Sequence, residues 1–137
     1  MNAIIYSISA CQHFSLQTVV MRDFRSLAVW DKAHQLALRI YQATQNFPQE
    51  ELYGLTSQIR RAAVSISANI AEGCGKDTEA ELARYMQISM GSASELEYHL
   101  LLAKDLGYLD EMECTIVNEK AVEVKRMLAP FIKRLRG

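Results

Sequence analysis

Apolar side chains recur at every third or fourth position through four long segments of this chain, and so few breakers interrupt them that long helices are the only regular structure they suit. The first segment runs from Leu27 to Asn46, with Trp30, Ala33, Ala37, Ile40, Tyr41 and Thr44 following on one face, and Pro48 stops it. The second follows Gly54 and runs from Leu55 to Gly73, with Ile59, Ala62, Ala63, Ile66 and Ile70 inside; Cys74 and Gly75 form its exit turn. The third opens with Thr78 and Glu81, the spacing of a reciprocal capping box, and carries Leu82, Met86, Ser89, Ala93, Leu96 and Leu100 inward. Gly107 is a natural left-handed stop for it, with Tyr108 placed to fold back onto the last turn. The fourth repeats the entry device at Asp110 and Glu113 and carries Val117, Val124, Leu128, Phe131 and Leu135. Pro130 lies inside it and is expected to bend or loosen the helix.

With only 6 Gly and 2 Pro in 137 residues, a turn-dense sandwich or barrel is excluded. Helices of this size are about 30 Å long, and the short loops between them favour antiparallel neighbours. The expected fold is all-α: an antiparallel up-down-up-down four-helix bundle spanning residues 21–137.

Residues 1–20 are a different kind of sequence, because the first charged side chain of the chain is Arg22. The stretch is too polar to span a bilayer and lacks the basic start of a secretory signal. The run Ile8, Ser9, Ala10, Cys11 has the outline of a lipoprotein cleavage box, but the apolar stretch before it is short. Residues 1–20 are read as an N-terminal extension, with Met21 the true or alternative start, or as a short docked strand or disordered tail. Three cysteines with no CxxC and no Cys/His cluster point to a reducing compartment, and the cytoplasm is the expectation.

Two stretches carry fewer charges than a solvated helix should. Residues 62–75, AAVSISANIAEGCG, contain Glu72 alone, and residues 86–94, MQISMGSAS, contain none. A helix with no charged face opposite its apolar one is expected to be enclosed on more than one side, so the second and third helices are expected to contact another copy of the chain. Ala63, Ser67, Asn69, Glu72, Met90 and Ser94 are the candidate interface residues. Solvation of small side chains at little cost is the competing reading.

No motif for catalysis stands out. A di-metal bundle needs two Glu-x-x-His motifs, and the chain has none; Asp31 with His34 and Glu95 with His99 are single pairs. There is no GxSxG, no GxGxxG and no phosphate loop. No catalytic residue, metal or cofactor is assigned, and the chain is read as a non-enzyme. A small-ligand or enzymatic site around Glu72, Asn69 and Arg60 is the alternative.

Charge patterning is more informative than the net charge of −1. Residues 77–119 carry 10 acidic and 2 basic side chains, whereas residues 120–137 carry 6 basic and 1 acidic. Arg60 and Arg61 on the second helix, with Lys125, Arg126, Lys133, Arg134 and Arg136 on the fourth, are the candidate nucleic-acid surface, holding phosphates with release of counterions. Neutralising the helix macrodipole and pairing with the acidic third helix is the competing role.

The stretches YGLTSQIRRAAVSISANIAEG (53–73) and GSASELEYHLLLAKDLGYL (91–109), with the entry DFRSLAVWDKAHQLALRIYQATQNFP, closely resemble the family of proteins encoded in intervening sequences of bacterial 23S rRNA genes. The resemblance covers Met21 to the C-terminus. It implies an antiparallel four-helix bundle that assembles as a ring-shaped homopentamer, in a small bacterial protein with no known catalytic role; no membrane partner is expected for the chain. Accessory proteins of diversity-generating retroelements are similar to the same fold; they are strongly basic and bind nucleic acid and reverse transcriptase, which makes RNA or such an enzyme the implied partner. Ser67 replaces the usual proline of the SIPxN motif, so the second helix should be less kinked here, and the near-neutral charge departs from the basic accessory branch.

Overall fold

A computed structural model describes residues 22–137. The expectations for residues 1–20 fall outside the described residues. Four helices follow one another: α1 over Ala28–Ala43, α2 over Leu55–Cys74, α3 over Glu79–Asp105 and α4 over Glu111–Arg136. Short 3-10 turns at Phe24–Ser26 and Gln49–Glu51 precede α1 and α2. Each helix packs on two neighbours, α1 and α3 both touching α2 and α4, and neither diagonal pair meets. The cross-section is therefore a square.

Contacts across each seam fix the direction of the helices. Between α2 and α3 they pair Arg61 with Glu95 and Ser65 with Ser92, and between α3 and α4 they pair Glu97 with Lys125 and Gln87 with Arg136. On the α1–α4 seam Lys32 meets Glu123 and Arg39 meets Glu113. One number rises as the other falls on all three seams, so these neighbours are antiparallel, as the short loops demand.

The helix ends show which local signals operate. Thr78 Oγ1 accepts the Glu81 N–H at 3.1 Å and Asp110 Oδ1 accepts the Glu113 N–H at 2.8 Å. The reciprocal half of the expected capping boxes is absent: the Glu81 carboxylate turns to Arg84 and that of Glu113 to Arg39, where a cation offers more than a second backbone N–H. Gly107 takes φ +81°, and the N–H groups of Gly107 and Tyr108 bond to the carbonyls of Lys104 and Ala103, the two bonds of a Schellman motif. α1 ends three residues short of Asn46, because the Thr44 hydroxyl donates back to the Ile40 carbonyl and the Phe47 N–H to that of Thr44. Pro130 does not interrupt α4. It stands on the exposed side, opposite buried Val124, Leu128 and Ile132, where water can reach the carbonyl that its ring leaves free.

Leu36, Ile40, Ile59, Ile66, Leu82 and Leu128 lie at the centre of the core without solvent contact. The small residues of α2 have their own explanation within one chain. Ala62, Ala63 and Gly73 are buried within the bundle, and a Cβ added at Gly73 would sit 2.8 Å from the Tyr85 Cβ of α3. Much of the charge-poor sequence of α2 is therefore enclosed by its own bundle, where small side chains let two helices approach closely.

Candidate nucleic-acid interface

The seven basic residues singled out from sequence do not form one surface. α2 and α4 occupy diagonal corners of the square, so Arg60 and Arg61 stand apart from the bases of α4. Arg60 Nε donates to Thr44 Oγ1 at 2.9 Å and the guanidinium lies 4.7 Å from the Tyr41 ring centroid, across the α1–α2 seam. Arg61 faces Glu95 at 3.6 Å, and Lys125 reaches Glu97 at 2.7 Å. These three are held in contacts between helices.

The remaining four differ. No carboxylate among the described residues pairs with Arg126, Lys133, Arg134 or Arg136, and all four are exposed. Arg134 lies 5.4 Å from the Phe131 ring centroid, and Arg136 donates to the Gln87 amide oxygen at 3.5 Å. Arg22 joins them from the start of the described chain, 5.6 Å from the same Phe131 ring and 3.9 Å from Glu79. Arg22 was invisible to helical periodicity, because it precedes the first helix; only the folded chain brings it beside α4. The result is a basic end on α4 whose positive charge is left to solvent, at the C-terminal pole of the helix dipole.

The candidate contact residues of α2 and α3 divide likewise. Ala63 is 0 % exposed and Ser67 8 %, so neither offers a surface to a partner, the correction being that their own bundle encloses them. Met90 is half-buried against the core. Asn69 is half-buried and donates to the backbone carbonyl and hydroxyl of Ser65 at 2.8 and 2.9 Å. Ser94 is exposed, as is Glu72, whose carboxylate lies 4.0 Å from Lys76.

Glu72, Asn69 and Arg60 do not converge. Each has its own local partner, and the groove beside Arg60 is lined by Tyr41, Tyr53 and Val64 without reaching Asn69 or Glu72. His34 stacks on Trp30 with centroids 4.9 Å apart, and His99 meets Glu95 at 3.0 Å, so the two acid–histidine spacings serve packing and pairing. Cys74 is buried, and burial pushes its thiol up to about 11, far from a nucleophilic thiolate.

Residues 25–130 match the model of the family described as 23S rRNA-intervening sequence protein. The chain belongs to that family. The family match takes in all of α1, α2 and α3 and most of α4, so the bundle just described is the family's fold in this chain. A crystal structure of a protein of unknown function, from the S23 ribosomal protein family of Bacteroides thetaiotaomicron, is similar at a TM-score of 0.70 with 28 % identity. The alignment covers 77 % of this chain and 99 % of that one. No curated protein matches the chain. Among the described residues no helix is long and apolar enough to cross a membrane.

Proposed function

We propose that this member of the intervening-sequence family is a non-enzymatic, homo-oligomeric scaffold of the cytoplasm that binds RNA along the basic end of α4. One observation carries the reading: Arg126, Lys133, Arg134 and Arg136 are exposed on one helix without a carboxylate partner, while the bases of the other helices mostly face acids or rings. Unpaired surface cations give up no ion pair of their own, and each one that neutralises a phosphate displaces a counterion condensed on the nucleic acid. Oligomerisation multiplies the number of such ends presented to one strand. Glu72, Asn69 and Arg60 each hold a separate local partner, which argues against the enzymatic alternative at that place.

The test is the affinity for a single-stranded RNA across a salt series. Four phosphate contacts per chain give a slope of log affinity against log salt near −3, since each contributes about −0.7 on a single strand. Reversing Lys133, Arg134 and Arg136 to Glu is expected to remove about two units of that slope and most of the affinity. A flat salt response, or unchanged binding by the triple variant, overturns the reading.

A further inference from the structure

Cations and aromatic rings meet repeatedly at one end of the bundle. Because neighbouring helices are antiparallel, the start of α1, the exit of α2, the start of α3 and the finish of α4 share that end. There the Arg22 and Arg134 guanidiniums lie 5.6 and 5.4 Å from the Phe131 ring centroid, and Arg84 and Lys76 lie 4.6 and 5.2 Å from that of Tyr85. Arg25 stands 4.4 Å from the Phe24 ring at the entry to α1. Among the described residues, only the pair of Arg60 and Tyr41 is found away from this end. All three rings are half-buried, so each keeps part of its surface toward solvent.

Acids account for part of the pattern. Glu72 lies 4.0 Å from Lys76, and Glu81 3.4 Å from Arg84. The surroundings of Phe131 are different: Arg134 has no carboxylate partner among the described residues, and Arg22 reaches Glu79 only at 3.9 Å. Arg22 is also fixed in place, because its backbone N–H donates to the Cys74 carbonyl at 3.1 Å. Exposed Lys133 and Arg136 follow within the next turn and a half of α4. The site thus offers positive charge and a flat apolar face together. A free phosphate would use the cations and leave the rings idle. A duplex RNA does the same, since its bases are stacked on one another and it presents phosphates and 2′-hydroxyls. A single strand has both complements, phosphates for the cations and unstacked bases for the rings and guanidiniums.

Resting on the RNA reading above, we infer that this end of the bundle takes single-stranded RNA in preference to duplex, with one base stacked on Phe131 and another on Tyr85. The cations around the two rings hold the phosphates. Charge alone favours the reverse order: a duplex packs its phosphates more densely, and each contact releases about 0.9 of a counterion against about 0.7 on a single strand. Preference for the strand is therefore the signature of stacking.

The experiment is fluorescence anisotropy on the full chain with an end-labelled RNA that has no internal pairing, free or annealed to its complement. Wild type is compared with Phe131→Leu and Tyr85→Leu, which keep an apolar side chain and every charge. The wild type is expected to bind the free strand more tightly than the duplex at equal salt. Each variant is expected to weaken binding of the strand by about 5-fold or more, the lower end of what one stacked base contributes. Its duplex affinity and its slope of log affinity against log salt are expected to stay at the wild-type values, a split that a merely structural role of the rings would not produce. Melting curves check each fold; the rings are on different helices, so a variant that unfolds leaves the other to decide. A duplex bound as tightly as the strand, or variants that bind the strand as wild type does or weaken both forms equally, overturn the inference and leave salt-dependent RNA binding standing. A wild type that binds neither form overturns both.

Discussion

Gly73 and Gly91 both lie within helices, and replacing each by alanine should move stability in opposite directions. At an unobstructed helical position the substitution stabilises by about 0.5–1 kcal/mol, through lower backbone entropy in the unfolded chain. Gly91 is such a position, with no heavy atom within 4 Å of where the Cβ would be. At Gly73 the same Cβ meets the Tyr85 Cβ at 2.8 Å and Leu82 Cδ1 at 3.0 Å, with the Leu82 carbonyl oxygen at 3.4 Å behind them. A Cβ and a carbonyl cannot swing aside as a side-chain tip can, so α2 and α3 must part where Cys74 and Leu82 are packed. Overpacking of this kind costs about 1–3 kcal/mol, and the contact with the unyielding Tyr85 Cβ puts it in the upper half of that range, so Gly73→Ala is left destabilised by about 1–2 kcal/mol after the propensity gain. For a domain of this size that is a fall of about 4 °C in thermal midpoint per kcal/mol, against a small rise for Gly91→Ala. Circular dichroism melts of the three proteins at one concentration measure both. A Gly73→Ala protein as stable as the wild type would refute the claim that close approach, not conformation, holds glycine there.

Glu113 accepts two hydrogen bonds from Arg39, each 2.8 Å, and the guanidinium holds its carboxyl below the usual 4.5. A lowered acid contributes stability above its ordinary value and loses it as pH falls through the lowered one. Glu113→Gln is therefore expected to cost about 1 kcal/mol at neutral pH, with the gap to wild type closing in acid denaturation series below about pH 4.5; a gap that stays constant to about pH 3 contradicts this. Cys74, with its thiol pushed up to about 11, holds about one thiolate in a thousand at pH 8, and burial shields the rest. Peptide mass spectrometry should show its alkylation only when denaturant unfolds the bundle, and rapid labelling of the native chain would place Cys74 nearer the surface than the core packing does.

The bundle was legible because burial, spacing and caps agree: Ile59, Ile66 and Ile70, for example, are spaced as one stripe and all are fully buried. Thr78, Asp110 and Gly107 act at the ends their chemistry suits. Tyr41 shows the limit of periodicity, since it keeps the apolar spacing of α1 yet is exposed under the Arg60 guanidinium. Charge counting found the basic end of α4 but could not separate Lys125, tied to Glu97, from Lys133, tied to none, because pairing depends on which helix lies alongside. Small residues carried the most ambiguous signal. Ala63 is buried inside its own bundle and Gly73 serves the approach of α2 to α3, and sequence alone gives an outer and an inner neighbour the same composition.

The seam between α2 and α3 has one more consequence. A surface of Ala, Ser and Gly is smooth, and two smooth helices can slide past each other by a turn with little change in apolar contact. Here Ser89, without solvent contact, donates to the Ile66 carbonyl at 2.7 Å, and Ser65 meets Ser92 at 2.8 Å. A slide of one turn would strand the Ser89 hydroxyl in an apolar slot at a cost of about 1–3 kcal/mol, so two short polar side chains act as teeth that engage at a single setting. Greasing the seam with alanine at positions 65 and 89 would keep its shape while removing what tells one alignment from the next.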